Sequence, residues 1–159
     1  MDDQFLLADA AYERGDLEEA FAMFLQLAEG GDLNGMSRVA CMYGDGEGTQ
    51  RSREMSLEWD SKAAALGSTT SMFNLGITYR NAGDSREAGR WFERLHADGD
   101  GDASLELAKM YMVSDLEGER IRGYLLAALR SSNVCEASIE EAQELLEDLD
   151  ERGPANTSA

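Results

Sequence analysis

The sequence predicts an all-α fold: an α-α solenoid of about four helix–turn–helix repeats closed by a C-terminal capping helix. Three observations predict it. Ala, Leu, Met, Glu and Arg dominate, Val, Ile and Thr are sparse, and no period-two alternation is present, so the local preference is helical. Tyrosines recur at Tyr12, Tyr43, Tyr79 and Tyr111, spaced 31, 36 and 32 residues apart, the signature of a helical repeat array. Sixteen glycines punctuate the chain, and the single proline is Pro154, so the helices are short and end on glycine-bearing turns rather than on proline.

The elements follow in order. Gly31, Gly67 and Gly99 each lead by four residues to a small residue, namely Gly35, Ser71 and Ala103. Four further on come Val39, Leu75 and Leu107, each followed by another small residue, Ala40, Gly76 and Ala108. Small positions on the first helix let a neighbour approach closely. The turns RGDLEEA (14–20) and NAGDSREA (81–88) place Asp16 three residues before Glu19 and Asp84 three before Glu87. That is capping-box spacing, in which the Asp accepts from free amides of the new helix and the Glu reaches back. Bulky residues then recur on the second helix at Met23, Trp59, Trp91 and Tyr124, to fill the wedge between neighbours. Small or apolar residues stand four later at Leu27, Ala63, Leu95 and Ala128. One such pair cannot bury its apolar face alone, so the pairs stack. The frame is a single domain over 1–151, with units at 1–32, 33–68, 69–100 and 101–133. A cap helix at 136–150 aligns Ile139, Ala142, Leu145, Leu146 and Leu149, and 152–159 is a flexible tail.

The third unit, LGITYRNAGDSREAGRWF (75–92), resembles a tetratricopeptide repeat. The longer second unit, with YGDGEGTQRS (43–52) and EWDSKAAALG (58–67), is similar to the Sel1-like branch of that superfamily, which has a glycine-rich loop between its helices. The missing closing proline points to the same branch. The resemblance covers 1 to about 133. It implies right-handed stacking, with the first helix of each unit lining the concave side.

Charge and motifs exclude several functions. Thirty-two acids against fourteen bases give a net charge of −18, which disfavours phosphate backbones and anionic lipid. No apolar stretch approaches a membrane span, and the N-terminal residues lack the positive charge of a signal peptide. Cys41 and Cys135 are far apart and form no CxxC pair, so a reduced cytoplasmic protein with two free thiols is expected. His96 is the only histidine, which rules out a histidine-based triad or histidine-rich metal site and leaves it a surface or boundary role. The run DGDGD (98–102) opens like a calcium loop, but Ala103 replaces the needed glycine and Lys109 the bidentate glutamate, so it reads as a turn. GDGEG (44–48) has no Gly-Lys-Ser/Thr after it and is no phosphate cradle. No enzyme, cofactor or metal is expected. Cys41 and Cys135 read as inert thiols, although a helix start could lower the pKa of Cys135.

What remains is binding of another polypeptide. By the family frame, the concave positions are Phe5, Asp9, Tyr12 and Glu13 in the first unit, and Asn34, Ser37 and Cys41 in the second. The third contributes Phe73, Ile77 and Arg80, and the fourth Leu105, Lys109 and Met112. Phe5, Phe73 and Leu105 serve equally well as core between units. Residues 1–32 carry nine acids and one base, 134–152 eight acids and one base, and 61–83 no acid. The acidic ends either solvate the terminal repeats or attract a basic partner. Glu140, Glu144, Glu147 and Asp148 of the cap helix are the candidates for the second role. Small acidic Sel1-like proteins resemble the immunity proteins that bacteria make beside secreted toxins, which implies a cytoplasmic inhibitor of a basic toxin. An adaptor, scaffold or secretion chaperone is the alternative, and self-association is open.

Overall fold

The computed structural model describes residues 3–113 and 118–152. Its element order is α1 (Asp3–Glu13), α2 (Leu17–Glu29), α3 (Leu33–Asp45), α4 (Arg53–Ala65), α5 (Thr69–Asn81), α6 (Ser85–Ala97), α7 (Gly101–Val113), α8 (Gly118–Arg130) and α9 (Glu136–Arg152). Among the described residues there is no strand, only an isolated parallel bridge between Asp100 and Asn133. The tail expected at 152–159 lies outside the described residues except for Arg152, which closes α9.

One device joins most of the helices. At Gly15, Gly31, Gly67, Gly83 and Gly99 the backbone turns at φ between 79° and 98°, a region that favours glycine. The next amide then bonds back five residues, as Asp32 N–H does to Leu27 C=O at 3.0 Å and Asp84 N–H to Tyr79 C=O at 2.9 Å. That same residue caps the next helix. The Asp32 carboxylate accepts from Gly35 N–H at 2.6 Å, Ser68 Oγ from Ser71 N–H at 3.2 Å and Asp100 from Ala103 N–H at 2.8 Å. The capping expected at Asp84 is present, since its carboxylate accepts from Glu87 N–H at 3.1 Å, but Glu87 turns to Arg90 at 2.8 Å. The capping expected at Asp16 is absent. Its carboxylate is taken by Arg14 Nε at 3.0 Å and makes no bond to the helix.

Two compact units result, Met1–Leu75 and Gly76–Ala159, the division falling inside α5. In the first, the core gathers Ala8, Phe24, Val39, Ala40, Met42 and Trp59, with Phe5, Tyr12 and Tyr43 packed against it. Gly35 has to be small, because a Cβ there would lie 2.8 Å from Leu27 Cβ. In the second, Leu75's neighbour Gly76 lies against Phe92, whose ring would be 2.6 Å from an added Cβ. Leu95, Leu107 and Leu125 are fully buried there. The small and apolar repeat positions named from the sequence are therefore core. The wedge register shifts by one in two repeats: Phe24 and Phe92 are fully buried, whereas Met23 and Trp91 are half-buried. One residue is 100° of helix, and the fully apolar side chains win the inner face. In α9 only Ala142 of the predicted stripe is fully buried, with the leucines half-buried.

Candidate partner-binding faces

In the unit Met1–Leu75, the predicted groove residues of α1 are engaged internally. Arg38 of α3 pairs with Asp9 at 2.6 Å, and its guanidinium lies 4.9 Å from the centre of the Tyr12 ring and 5.5 Å from that of Phe24. Tyr12 O–H donates to Glu47 of the glycine-rich loop at 2.7 Å; this bond and then burial raise the phenol above its ordinary pKa. Phe5 packs on Phe24 with ring centres 5.3 Å apart. Glu13 and Asn34 are exposed, and Phe73 is half-buried.

Ser37 corrects the expectation of a groove surface. It is buried, donating to Leu33 C=O at 3.0 Å and lying 2.8 Å from Ser71 Oγ and 3.2 Å from Ser68 Oγ. Cys41 is exposed, and its sulfur accepts from Asn74 Nδ2 at 3.7 Å. Local desolvation, then the nearby Asp60 and Asp45 carboxylates, raise the thiol above its ordinary pKa, so nothing activates it as a nucleophile. The loop itself is docked. At Gly48, φ is 65° and an added Cβ would lie 2.0 Å from Leu17 C=O. Beside this contact opens an 820 Å³ cleft lined by Gly15, Asp16, Glu18, Glu19, Thr49 and Gln50 among others.

In the unit Gly76–Ala159, Arg80 and Lys109 share Glu106, which is only 7% exposed. Arg80 pairs with one carboxylate oxygen, and Lys109 lies 2.8 Å from the other and 3.1 Å from Glu141 of α9. Two predicted groove cations are thus neutralised. Leu105 takes the core alternative, at 2% exposed, while Ile77 and Met112 are half-buried. His96 has the boundary role read from the sequence, with Nδ1 2.8 Å from Ser104 Oγ. Asp100 and Asp102 serve as turn residues, capping Ala103 N–H and accepting Cys135 N–H at 3.1 Å. Cys135 is exposed at the start of α9, its sulfur 3.1 Å from Ser138 Oγ. On α9, Glu140, Glu144, Glu147 and Asp148 are exposed and form no ion pair among the described residues, while their neighbour Asp150 pairs with Arg122.

No protein-family model matches the chain. It is 26% identical over 120 residues to a sel1-like repeat-containing protein of Acanthamoeba polyphaga mimivirus, a match covering 74% of this chain and 22% of the viral protein. A Sel1 repeat protein from Oxalobacter formigenes superposes with a TM-score of 0.79 at 19% identity, over 94% of this chain and 62% of that one. A protective antigen of uropathogenic Escherichia coli displaying an SLR fold gives a TM-score of 0.76 at 26% identity, over 98% of this chain and 34% of that one. This chain has an all-α repeat-solenoid fold similar to that of Sel1-like repeat proteins. It spans less than two thirds of the length of each of these proteins.

The register of the second helices also shows what the sequence reading missed. The second helices α2, α4, α6 and α8 are each 13 residues long, and their eighth residues are Phe24, Asp60, Phe92 and Leu125. Three of these are fully buried hydrophobes, and the fourth is a carboxylate only 3% exposed. Burial pushes Asp60 up to about 6 against the opposing hydrogen bonds of Ser71 and Asn74, with Asn74 Nδ2 3.3 Å from Oδ1. The signal was present as an aspartate in a hydrophobic column, but it becomes visible only once the register is known. Glu106 carried a weaker signal, its i,i+3 spacing to Lys109.

Proposed function

We propose that this chain is a non-enzymatic protein-binding repeat module, an acidic cytoplasmic immunity protein that holds and neutralises a basic partner such as a secreted bacterial toxin. The observation that carries the reading is the unneutralised acidic stripe of α9. Glu140, Glu144 and Asp148 recur every four residues, with Glu147 beside them, all exposed. By contrast, among the described residues eight bases are tied up in ion pairs within the chain, Arg38, Arg80 and Lys109 among them. The charge offered outward is therefore negative, and such a field speeds encounter with a positive partner, by about 10- to 1,000-fold at low salt. Glu18 and Glu19 around the first unit's cleft add to it. No helix among the described residues is long and apolar enough to cross a membrane. Adaptor or secretion-chaperone work is the second reading, favoured by the half-buried apolar groups Phe73, Ile77 and Met112 on the first helices.

The test is affinity capture from the native host extract at low and high salt, with mass-spectrometric identification, using the parent and a variant with all four α9 acids changed to lysine. One basic protein held by the parent, weakened by salt and lost in the variant, supports the immunity reading. Several unrelated exported proteins, held equally by both, support the adaptor. Capture of no protein at either salt refutes both.

A further inference from the structure

The seam where the second repeat meets the start of the third is polar where the corresponding positions elsewhere are not, and the departures converge. Besides Asp60 in place of Phe24, Phe92 and Leu125, the fifth residue of α3 is Ser37 where α5 and α7 carry Phe73 and Leu105. The third residue of α5 is Ser71 where α3 and α7 carry Gly35 and Ala103. Ser68 caps α5 where aspartates cap α3 and α7. Ser37, Ser68, Ser71 and Asp60 are all buried, and Asn74 bridges Asp60 to Cys41. All lie in the unit Met1–Leu75, where α3, α4 and the first half of α5 meet.

A buried carboxylate is tolerated neutral and is costly when ionised without a cation. Among the described residues no ion pair engages Asp60. The groups around it are few. From α3 comes the Cys41 thiol, with Arg38 and Asp45 near that sulfur; from α5 come the neutral donors Ser71 and Asn74. On α4 itself, Lys62 is turned away to Glu58 at 2.7 Å and to the face of Trp59 at 4.5 Å. Hydroxyls can reverse their hydrogen-bond direction, so the serine cluster serves both states of the carboxyl: Ser71 donates to an ionised Asp60 and accepts from a neutral one.

We propose that this seam is a proton-operated latch: neutral Asp60 holds residues 69–75 of α5 on α3 and α4, and ionised Asp60 lets that segment open locally. The sign follows from burial. The closed seam raises Asp60 from the ordinary 3.8 to about 6, so closed binds the proton more tightly than open. Closure therefore strengthens as pH falls through about 6 and reaches its full gain below the ordinary value; above about 6 the gain is gone. Cys41 and Phe73, both in the candidate groove, sit on the two sides of the seam. The binding face is thus pliant at neutral pH and fixed in mild acid.

Hydrogen exchange on the full chain tests the latch, after correction for the intrinsic pH dependence of exchange. In the parent, protection of the amides at 72–75 falls on the order of 100-fold between about pH 4 and pH 7.5, while α7 amides hold steady. In Asp60→Asn, which keeps the shape and the acceptor oxygen, protection stays near the parent's acid value across that range. Protection independent of pH in the parent, or Asp60→Asn following the parent, overturns the proposal. Because that variant could misfold, the carboxyl carbon of Asp60 is also titrated by NMR in the parent. A midpoint near 6 supports the latch, and one at the ordinary aspartate value overturns it.

Discussion

Replacing Gly48 with alanine separates two roles that glycine plays in this fold. Gly15 and Gly99 sit at φ of 83° and 88°, and an added Cβ at either meets nothing within 4 Å. Alanine there costs only the left-handed backbone strain, about 1–2 kcal/mol. Gly48 has φ of 65°, and its Cβ would stand 2.0 Å from the Leu17 carbonyl oxygen and 2.5 Å from its carbon. That obstacle is backbone at the first turn of α2, so relief requires the loop or the helix to move. Displacement of this kind adds about 1–3 kcal/mol to the strain. Gly48→Ala should therefore cost about 2–5 kcal/mol, lowering Tm by roughly 4–20 °C for a chain of this length. It should also free Glu47 from the Tyr12 hydroxyl, since the two are joined through the same loop. The assay is urea and thermal unfolding followed by far-ultraviolet circular dichroism, with Gly15→Ala and Gly99→Ala as controls. Equal losses at all three positions would refute the idea that the loop is docked on α2.

Glu106→Ala should cost about 1–3 kcal/mol in urea unfolding, because Arg80 and Lys109 lose their shared, largely buried partner. Glu106→Met, which refills the volume but restores no carboxylate, should cost about as much; a much smaller loss would mean that space and not charge is at stake. Cys41 should react with iodoacetamide at about pH 8 more slowly than glutathione does, since local desolvation and two carboxylates raise its pKa. Asp60→Asn should speed that reaction, and a parent rate equal to glutathione's would contradict the assignment. Tyr12→Phe should cost about 0.5–1.5 kcal/mol by loss of the bond to Glu47, and ultraviolet titration of parent against variant should show Tyr12 ionising above free tyrosine.

The paired helices, their turns and most of the core were legible because each depends on neighbours in the chain. The glycine that ends a helix and the Asp or Ser that caps the next lie within a few residues of one another, as Gly31 and Asp32 do. The small-residue column Gly35, Ser71 and Ala103 repeats at the period of the fold, so self-comparison finds it. The binding face was less legible. Asp9, Arg80 and Lys109 were read as groove charges, yet each is held by a residue from another helix. Spacing shows which face of a helix a residue occupies but not which side chain from the next helix arrives to meet it.

Sequence alone determined that this chain makes stacked helix pairs with acidic ends, because helix periodicity, turn conformation and net charge are local or additive properties. Tertiary structure decided which charges face water and which are spent inside. Rotating a helix by one residue, the difference between Met23 and Phe24 or between Trp59 and Asp60, moves a side chain by 100°. Packing against residues some thirty positions away sets that rotation. It leaves Glu140 and Glu144 exposed, ties Arg38 to Asp9, and encloses Asp60 where other repeats keep a hydrocarbon.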